Sequence, residues 1–564
     1  MRIRSLCFIL MLIFANYYPL FANNIQVSNI NLTNKNTVSN YITVNFDLSW
    51  ENSWRINTGA SNWDAAWIFI KFRQEGGVWQ HATLSSIDEN HIAVEGSTID
   101  AVSDGKGVFI YRADNGSGNN NWPNMGLRWE YGTDGISDNA TNIEIKVFAI
   151  EMVYVPQGQF YVGDGSSTGR LWNLADVNTN PALISTTPVV IKCEDPDISK
   201  APMDEQLEGD GILVVGNGGI DSDGNTAIDN PNFPTGYNAF YCMKYEISNQ
   251  QMADFLNTLT REEQNSRTYF DILSDNNLHP FPINHTNQPE SRNSVRCKIV
   301  GEVGEPLHFF CDLNNNGIEN DPDDGKYIAI CNLGWPDGCA FSDWAGLRPM
   351  TELEFEKACR GPEYPIANEY AWHNINIYGN STTEYIVNNL GEINSYPSNP
   401  GTGINGNAEY KFTTGHDTEH DAPLRCGIFA TSSSDRINAG ASYYGIMDLS
   451  GTMAERTVSI GHVIGRSFQG TNGDGILTSI IGFEGNANNP DWPGFKPGEE
   501  SHGIIPWFVS IELNEFPGGF GFRGGDWNDD APRLQVSDRF YAALDPFDSS
   551  GNIGSGFRAV RSAE

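Results

Sequence analysis

Tyr444-Gly-Ile-Met-Asp-Leu-Ser-Gly-Thr-Met-Ala-Glu455 sets two carboxylates, Asp448 and Glu455, on either side of a Ser450-Gly451 turn. Apolar Ile446, Met447, Leu449 and Met453 flank the turn and anchor it from both sides. A hard cation takes several oxygens at about 2.3–2.6 Å, often carboxylates mixed with backbone carbonyls. A turn held by buried flanks supplies both kinds. The same residues also describe a solvated turn with two surface acids, so its neighbours have to decide.

Upstream lie Met152-Val-Tyr-Val-Pro-Gln-Gly-Gln-Phe160, Phe240-Tyr-Cys-Met-Lys-Tyr-Glu-Ile-Ser-Asn249 and Gly346-Leu-Arg-Pro-Met-Thr-Glu-Leu-Glu-Phe-Glu-Lys-Ala-Cys-Arg-Gly361. Downstream come Phe522-Arg-Gly-Gly-Asp-Trp527 and Gly556-Phe-Arg558. In this order the six stretches resemble the landmarks of the formylglycine-generating enzyme, or sulfatase-modifying factor, domain family over about residues 152 to 562. The resemblance implies an α+β, C-type-lectin-like fold: two helices, small twisted sheets and much irregular loop held by calcium. It also implies a calcium ligated by an Asn, two backbone carbonyls and a Glu along an N-x-x-G-N-x-W-E stretch. Here Asp448 takes the Asn position, the carbonyls of Gly451 and Met453 match the backbone ligands, and Glu455 takes the Glu. Thr452 and Ala454 stand where the family has Asn and Trp.

The family's chemistry does not carry over. Its oxidase uses a cysteine pair that binds copper(I) between the R-G-G-S/N-W turn and the terminal G-F-R. Here the interval from Asp526 to Ser555 has no cysteine, and the last one in the chain is Cys426. Copper(I) is soft and wants thiolates, so copper is not expected, and no residue is assigned a catalytic role. Asp526, Trp527, Asn528 and the Arg533 to Tyr541 segment, with Ser537 and Arg539, stand where the family binds its substrate and are the candidate contacts for a protein or glycan partner. The expectation is a non-catalytic member acting in binding or envelope assembly. The alternative is an oxidase with relocated cysteines such as Cys359 or Cys426.

Two acidic loops offer further calcium chemistry. Asp312-Leu-Asn-Asn-Asn-Gly-Ile-Glu-Asn-Asp321 opens with the D-x-N-x-N-G alternation of a calcium loop but lacks the bidentate Glu at its twelfth position. Asp312, Asn314, Asn316 and Asp321 are its candidate ligands, and a disulfide between Cys311 and Cys331 would pin it. Asp221-Ser-Asp-Gly-Asn-Thr-Ala-Ile-Asp229 has a similar alternation and also lacks the Glu. His416 and His420 sit at i and i+4, but Gly415 and Pro423 flank them without apolar periodicity, which makes a surface loop.

Two core helices are legible. Ser248 caps one whose Met252, Phe255, Leu256 and Leu259 fall at helical spacing. Thr351 and Glu354 form a capping box for another, with Leu353, Phe355, Ala358 and Cys359 on its inner face and Gly361-Pro362 as its stop.

Residues 23–150 read differently. Tyr41-Ile-Thr-Val-Asn-Phe-Asp-Leu-Ser-Trp50 alternates apolar and polar, and Ala65-Ala-Trp-Ile-Phe-Ile-Lys-Phe72 is a continuous apolar run. Gly, Asn and Asp clusters separate such runs, which predicts an all-β, sandwich-like accessory domain. The sulfatase-modifying-factor-like domain then occupies 151–564, with insertions at about 165–234 and 279–340. His81 and His91 are expected to be structural.

Met1-Arg-Ile-Arg4, the mainly apolar Leu6 to Leu20 and Leu20-Phe-Ala22 predict a cleaved secretory signal over 1–22. The expected location is therefore periplasmic, outer-surface or secreted, without a membrane span. The net charge of −37 repels phosphate backbones and argues against nucleic acid as a partner. It favours cations.

Overall fold

Eight strands run through the first part of the computed structural model: β1 (Gln26–Asn36), β2 (Tyr41–Arg55), β3 (Asp64–Gln74), the short β4 (Gln80–His81), β5 (Ser97–Ala101), β6 (Val108–Arg112), β7 (Gly116–Trp129) and β8 (Ile143–Val155). The structure describes residues 24–166, 171, 180–186, 189–190, 220–221, 230–276, 278–379, 386–411, 422–431, 434–461, 463–494, 519–542 and 553–564. The predicted signal, the His416–His420 stretch and the 221–229 loop beyond Asp221 lie outside the described residues.

Side chains alternate across a strand, and β3 buries both of its faces. Ala66, Ile68, Ile70 and Phe72 pack against Val44, Phe46, Leu48 and Trp50 of β2 and Leu127 of β7. Those strands belong to a three-stranded antiparallel sheet, β1-β2-β7. Ala65, Trp67 and Phe69 point the other way, into a core that contains Phe255, Phe341 and Trp344 from helices further along the chain. A run buried on both sides has no reason to alternate, which explains the unbroken apolar sequence of β3.

The later elements are β9 (Phe240–Met243), α1 (Asn249–Leu256), α2 (Arg261–Asn265), α3 (Trp335–Trp344), β10 (Arg348–Pro349), α4 (Glu352–Arg360), β11 (Ala454–Val458), β12 (Phe520–Arg523), β13 (Ser555–Gly556) and β14 (Ala559–Ser562). An eight-stranded sheet joins the two parts of the chain in the order β10-β14-β9-β8-β3-β6-β5, with β4 added beside β3. β8 crosses residue 150 without a break. It pairs with β3 from Ile143 to Val153 and with β9 from Met152 to Val155. The Trp67 indole then donates to the Ala345 carbonyl just past α3, at 2.8 Å. A chain that is strand-rich, with few and short helices, thus shares one sheet between its β-rich start and its loop-rich remainder.

α1 and α4 form where their capping boxes lie, at Ser248 with Gln251 and at Thr351 with Glu354. α3 starts inside the expected 279–340 insertion. Its Trp335-Pro-Asp-Gly338 opening puts Pro in the first helical turn, where its missing N–H costs nothing. Gly338 is needed because a Cβ there would lie 1.8 Å from the Phe557 ring. The Cys311–Cys331 disulfide does not form. All seven described cysteines are free thiols, and Cys331 Sγ lies against the carbonyls of Glu290 and Ser291.

Candidate functional site

All nine residues of α4 are buried, so its charged residues have no solvent-facing side. Glu352 accepts from Arg523 at 2.8 Å and from Arg539 at 2.6 and 2.9 Å. Glu356 accepts from Arg523 at 2.8 Å and from Arg360 at 3.0 Å. Burial alone would raise the Glu352 carboxyl, but Arg539 and Arg523 hold it below its ordinary value. Ser537 joins the same network, donating to Glu356 at 3.1 Å and accepting from Arg360 at 2.8 Å.

Ser537 and Arg539 are therefore internal: each is 0 % exposed and spent on α4. Trp527 is also core, 6 % exposed, with its indole donating to the Ile553 carbonyl at 2.8 Å. Of the expected partner contacts, Asn528 is exposed and Asp526 half-buried. Burial, with Asp529 close by, pushes the Asp526 carboxyl up to about 7. Gly554 presses against that carboxylate so closely that a Cβ would sit 1.7 Å from Oδ2.

The Asp448–Glu455 turn is buried, not solvated. Asp448, Gly451 and Thr452 all have left-handed backbone, with φ of 60°, 93° and 69°. Asp448 Oδ2 accepts from the Gly427 amide at 2.6 Å. Glu455 Oε1 accepts from Arg558 at 3.0 and 3.2 Å, while its Oε2 is buried without a hydrogen-bond partner. Gly524 cradles that orphan oxygen, where a Cβ would come within 2.5 Å.

A third acid belongs here that sequence reasoning passed over. Glu246 follows β9, accepts from the Met453 amide at 3.1 Å through Oε1, and leaves Oε2 buried and unpartnered. Its sign in the sequence was a charged residue amid the apolar run from Phe240 to Ile247. Burial pushes all three carboxyls up, Glu455 to about 8 and Glu246 well above its ordinary value. Orphan oxygens on two buried carboxylates, with a third near enough to repel them, make the donor chemistry of a hard-cation site. The three do not all converge within 4.8 Å of one another.

The 312–321 loop divides its expected ligands. Asp312 is 0 % exposed and spends its oxygens on Arg296 at 2.6 Å and on the amides of Asn316 and Gly317, both at 2.9 Å. Asn314 and Asn316 accept from the Asn316 and Ile318 amides. These three side chains therefore shape the loop. Asp321 lies instead beside Asp323 and Asp324.

Among the described residues, burial disfavours thiol chemistry. Burial pushes Cys242, Cys297, Cys311 and Cys331 up to about 12, and Cys339, Cys359 and Cys426 well above their ordinary value. The thiolate is the nucleophile and the metal ligand, so the residues present do not fit copper(I).

A cavity of about 680 Å³ opens at the seam between the two halves, lined in part by Lys71, Trp79, His81, Glu263, Trp344 and Leu477. That volume suits a small organic ligand. Burial holds His81 neutral and pushes Lys71 down to about 7. Apart from His81, none of these residues carried a signal in the sequence, since the seam exists only once α3 docks on β3. Among the described residues, no helix is long and apolar enough to cross a membrane.

Compared with known families, the chain matches the model of the sulfatase-modifying factor enzyme 1-like domain over residues 198–563. No curated protein matches it.

Proposed function

The chain belongs to the sulfatase-modifying factor enzyme 1-like domain family, and from that premise we propose that it is a non-catalytic, calcium-stabilised member, exported and acting in binding or envelope assembly. One observation carries this reading: from Asp526 to Ser555 the sequence has no cysteine, and the described cysteines elsewhere are buried free thiols. An oxidase relying on Cys359 or Cys426 would need a thiolate, and burial opposes it at both positions. The same proposal gives the second half an α+β, C-type-lectin-like fold, a reading that its few short helices, small sheets and long loops support.

Calcium would be held by the Asp448 and Glu455 carboxylates with the carbonyls of Gly451 and Met453, and Glu246 adds a further oxygen. The ion would supply positive charge to carboxylates for which Arg558 is the one ion-pair partner among the described residues. The ligand surface would be the exposed part of the Asn528–Tyr541 segment, from Asn528 to Arg533, with the seam cavity as a second place for a small group; a protein or a glycan fits this chemistry.

The test is turnover read by mass spectrometry. Purified protein loaded with copper(I) under air is mixed with a peptide carrying a cysteine in a sulfatase-type motif. No conversion to formylglycine beside a working enzyme is the expected result. Conversion would overturn the reading.

A further inference from the structure

Asp321, Asp323 and Asp324 bring one carboxylate oxygen each to within 4.8 Å of the others, the one such trio of acidic, histidine or cysteine ligands among the described residues. Three like charges this close repel one another unless something positive lies between them. Among the described residues, no lysine or arginine forms an ion pair with any of the three. Arg296 is committed to Asp312 at 2.6 Å, and Lys326 donates to the Asn320 side chain at 3.1 Å.

The second observation is Asp324 itself. It is 0 % exposed, and both of its carboxylate oxygens are buried without a hydrogen-bond partner. Leaving a buried carboxylate unmatched is costly, and more so beside two other acids. Burial pushes its carboxyl up to about 6, with the nearby Asp312 and Asp321 adding to the shift. The Asp321 backbone and the Lys326 charge temper that shift. The other two acids are already aimed: Asn314 donates to Asp323 at 2.9 Å and Asn316 to Asp321 at 2.7 Å. Each then keeps a second oxygen.

We propose that Asp321, Asp323 and Asp324 bind a hard divalent cation, calcium in preference to magnesium, at a site separate from the Asp448–Glu455 turn. An all-oxygen set with no sulfur or nitrogen selects a hard ion. Calcium accepts several carboxylates at flexible angles, whereas magnesium keeps most of its water and demands a near-ideal octahedron. The site does not rest on the proposed activity of the domain.

Hydrogen exchange on the full chain tests it, with and without 1 mM-scale calcium (roughly the concentration at which weak extracellular calcium modules fill). Calcium should slow exchange across residues 312–326, and Asp324→Asn should abolish that slowing while leaving any calcium effect at 444–458. Glu455→Gln should do the reverse, so failure of one site is distinguishable from failure of the other. The exposed-side variant Asp323→Asn should weaken the calcium response at 312–326 at least tenfold, which guards against misfolding of the buried one. Unchanged exchange at 312–326, or an unchanged response in both variants, overturns the proposal. A response to magnesium and not to calcium overturns the choice of ion.

Discussion

Arg539 lays its guanidinium against the Glu352 carboxylate, Nε at 2.6 Å and Nη2 at 2.9 Å, with neither residue exposed to solvent. Removing one member of a buried ion network costs up to about 3–5 kcal/mol, even though Glu352 would keep Arg523 at 2.8 Å. Arg539→Met should lose that much stability in urea unfolding. Arg539→Lys should lose part of it, because an ammonium cannot reproduce the two-pronged contact. The double variant Arg539→Met with Glu352→Gln should recover some of the loss. An Arg539→Met protein within 0.5 kcal/mol of the parent, on the order expected for an ordinary surface change, would contradict this placement.

Thr452 adopts φ of 69°, a region where a β-branched residue is strained. Asn tolerates it better. Thr452→Asn should therefore stabilise the fold by about 1 kcal/mol. A lower melting temperature for the variant would show that Thr452 is held by packing more than it is strained.

Lys357 is buried, donating to the carbonyls of Gly236 and Tyr237 at 2.5 and 3.1 Å. Burial pushes its pKa from 10.5 down to about 7, with Glu354 opposing the shift. Between those two values the unfolded chain holds the extra proton, so the contribution of this lysine to stability rises with pH across the window and is lowest below pH 7. The slope is about 1.4 kcal/mol per pH unit at most. Lys357→Met should flatten the curve, gaining on the parent more at pH 7 than at pH 10. A difference that does not vary with pH would remove the buried cation from the account.

A ligand bound only by the folded state stabilises it, by about 2.7 kcal/mol at a hundredfold excess over its Kd. Chelator should therefore lower the melting temperature, and Asp448→Ala should make the protein less sensitive to it. An identical melting curve with and without chelator would dismiss calcium from the 448–455 turn.

The shared sheet predicts one cooperative unfolding step for the two halves. A chain starting at residue 151 loses β3, and with it the Trp67 and Phe69 packing beneath α1 and α3. It should be poorly soluble or molten. A well-folded 151–564 fragment with native-like near-ultraviolet dichroism would refute this.

What was legible in the sequence was local. The capping boxes at Ser248 and Thr351 name their helices because both partners lie within one turn. The alternation of β2 names its buried face. What was not legible depended on distant partners. Glu352 and Glu356 look like solvent-facing residues on a helix until Arg523 and Arg539 arrive from 167 to 187 positions away. The Glu352 carboxylate takes Arg539 from a substrate contact to a structural one, and the Ile553 carbonyl does so for Trp527. The D-x-N-x-N-G pattern marked an acidic loop, but spacing could not tell that Asp312 would serve Arg296 and two amides while both Asp324 oxygens stood without a hydrogen-bond partner.

β14 lies inside the eight-stranded sheet, between β9 and β10, and Arg558 just before it closes on Glu455. A ribosome delivers these residues after nearly everything they must join. The central sheet is therefore assembled only when residues 559–562 are in hand, and the earlier strands wait with an open edge. A premature stop anywhere upstream of Ala559 would leave that edge permanently available to other chains, so such truncations should surface as aggregates instead of as shortened, working proteins.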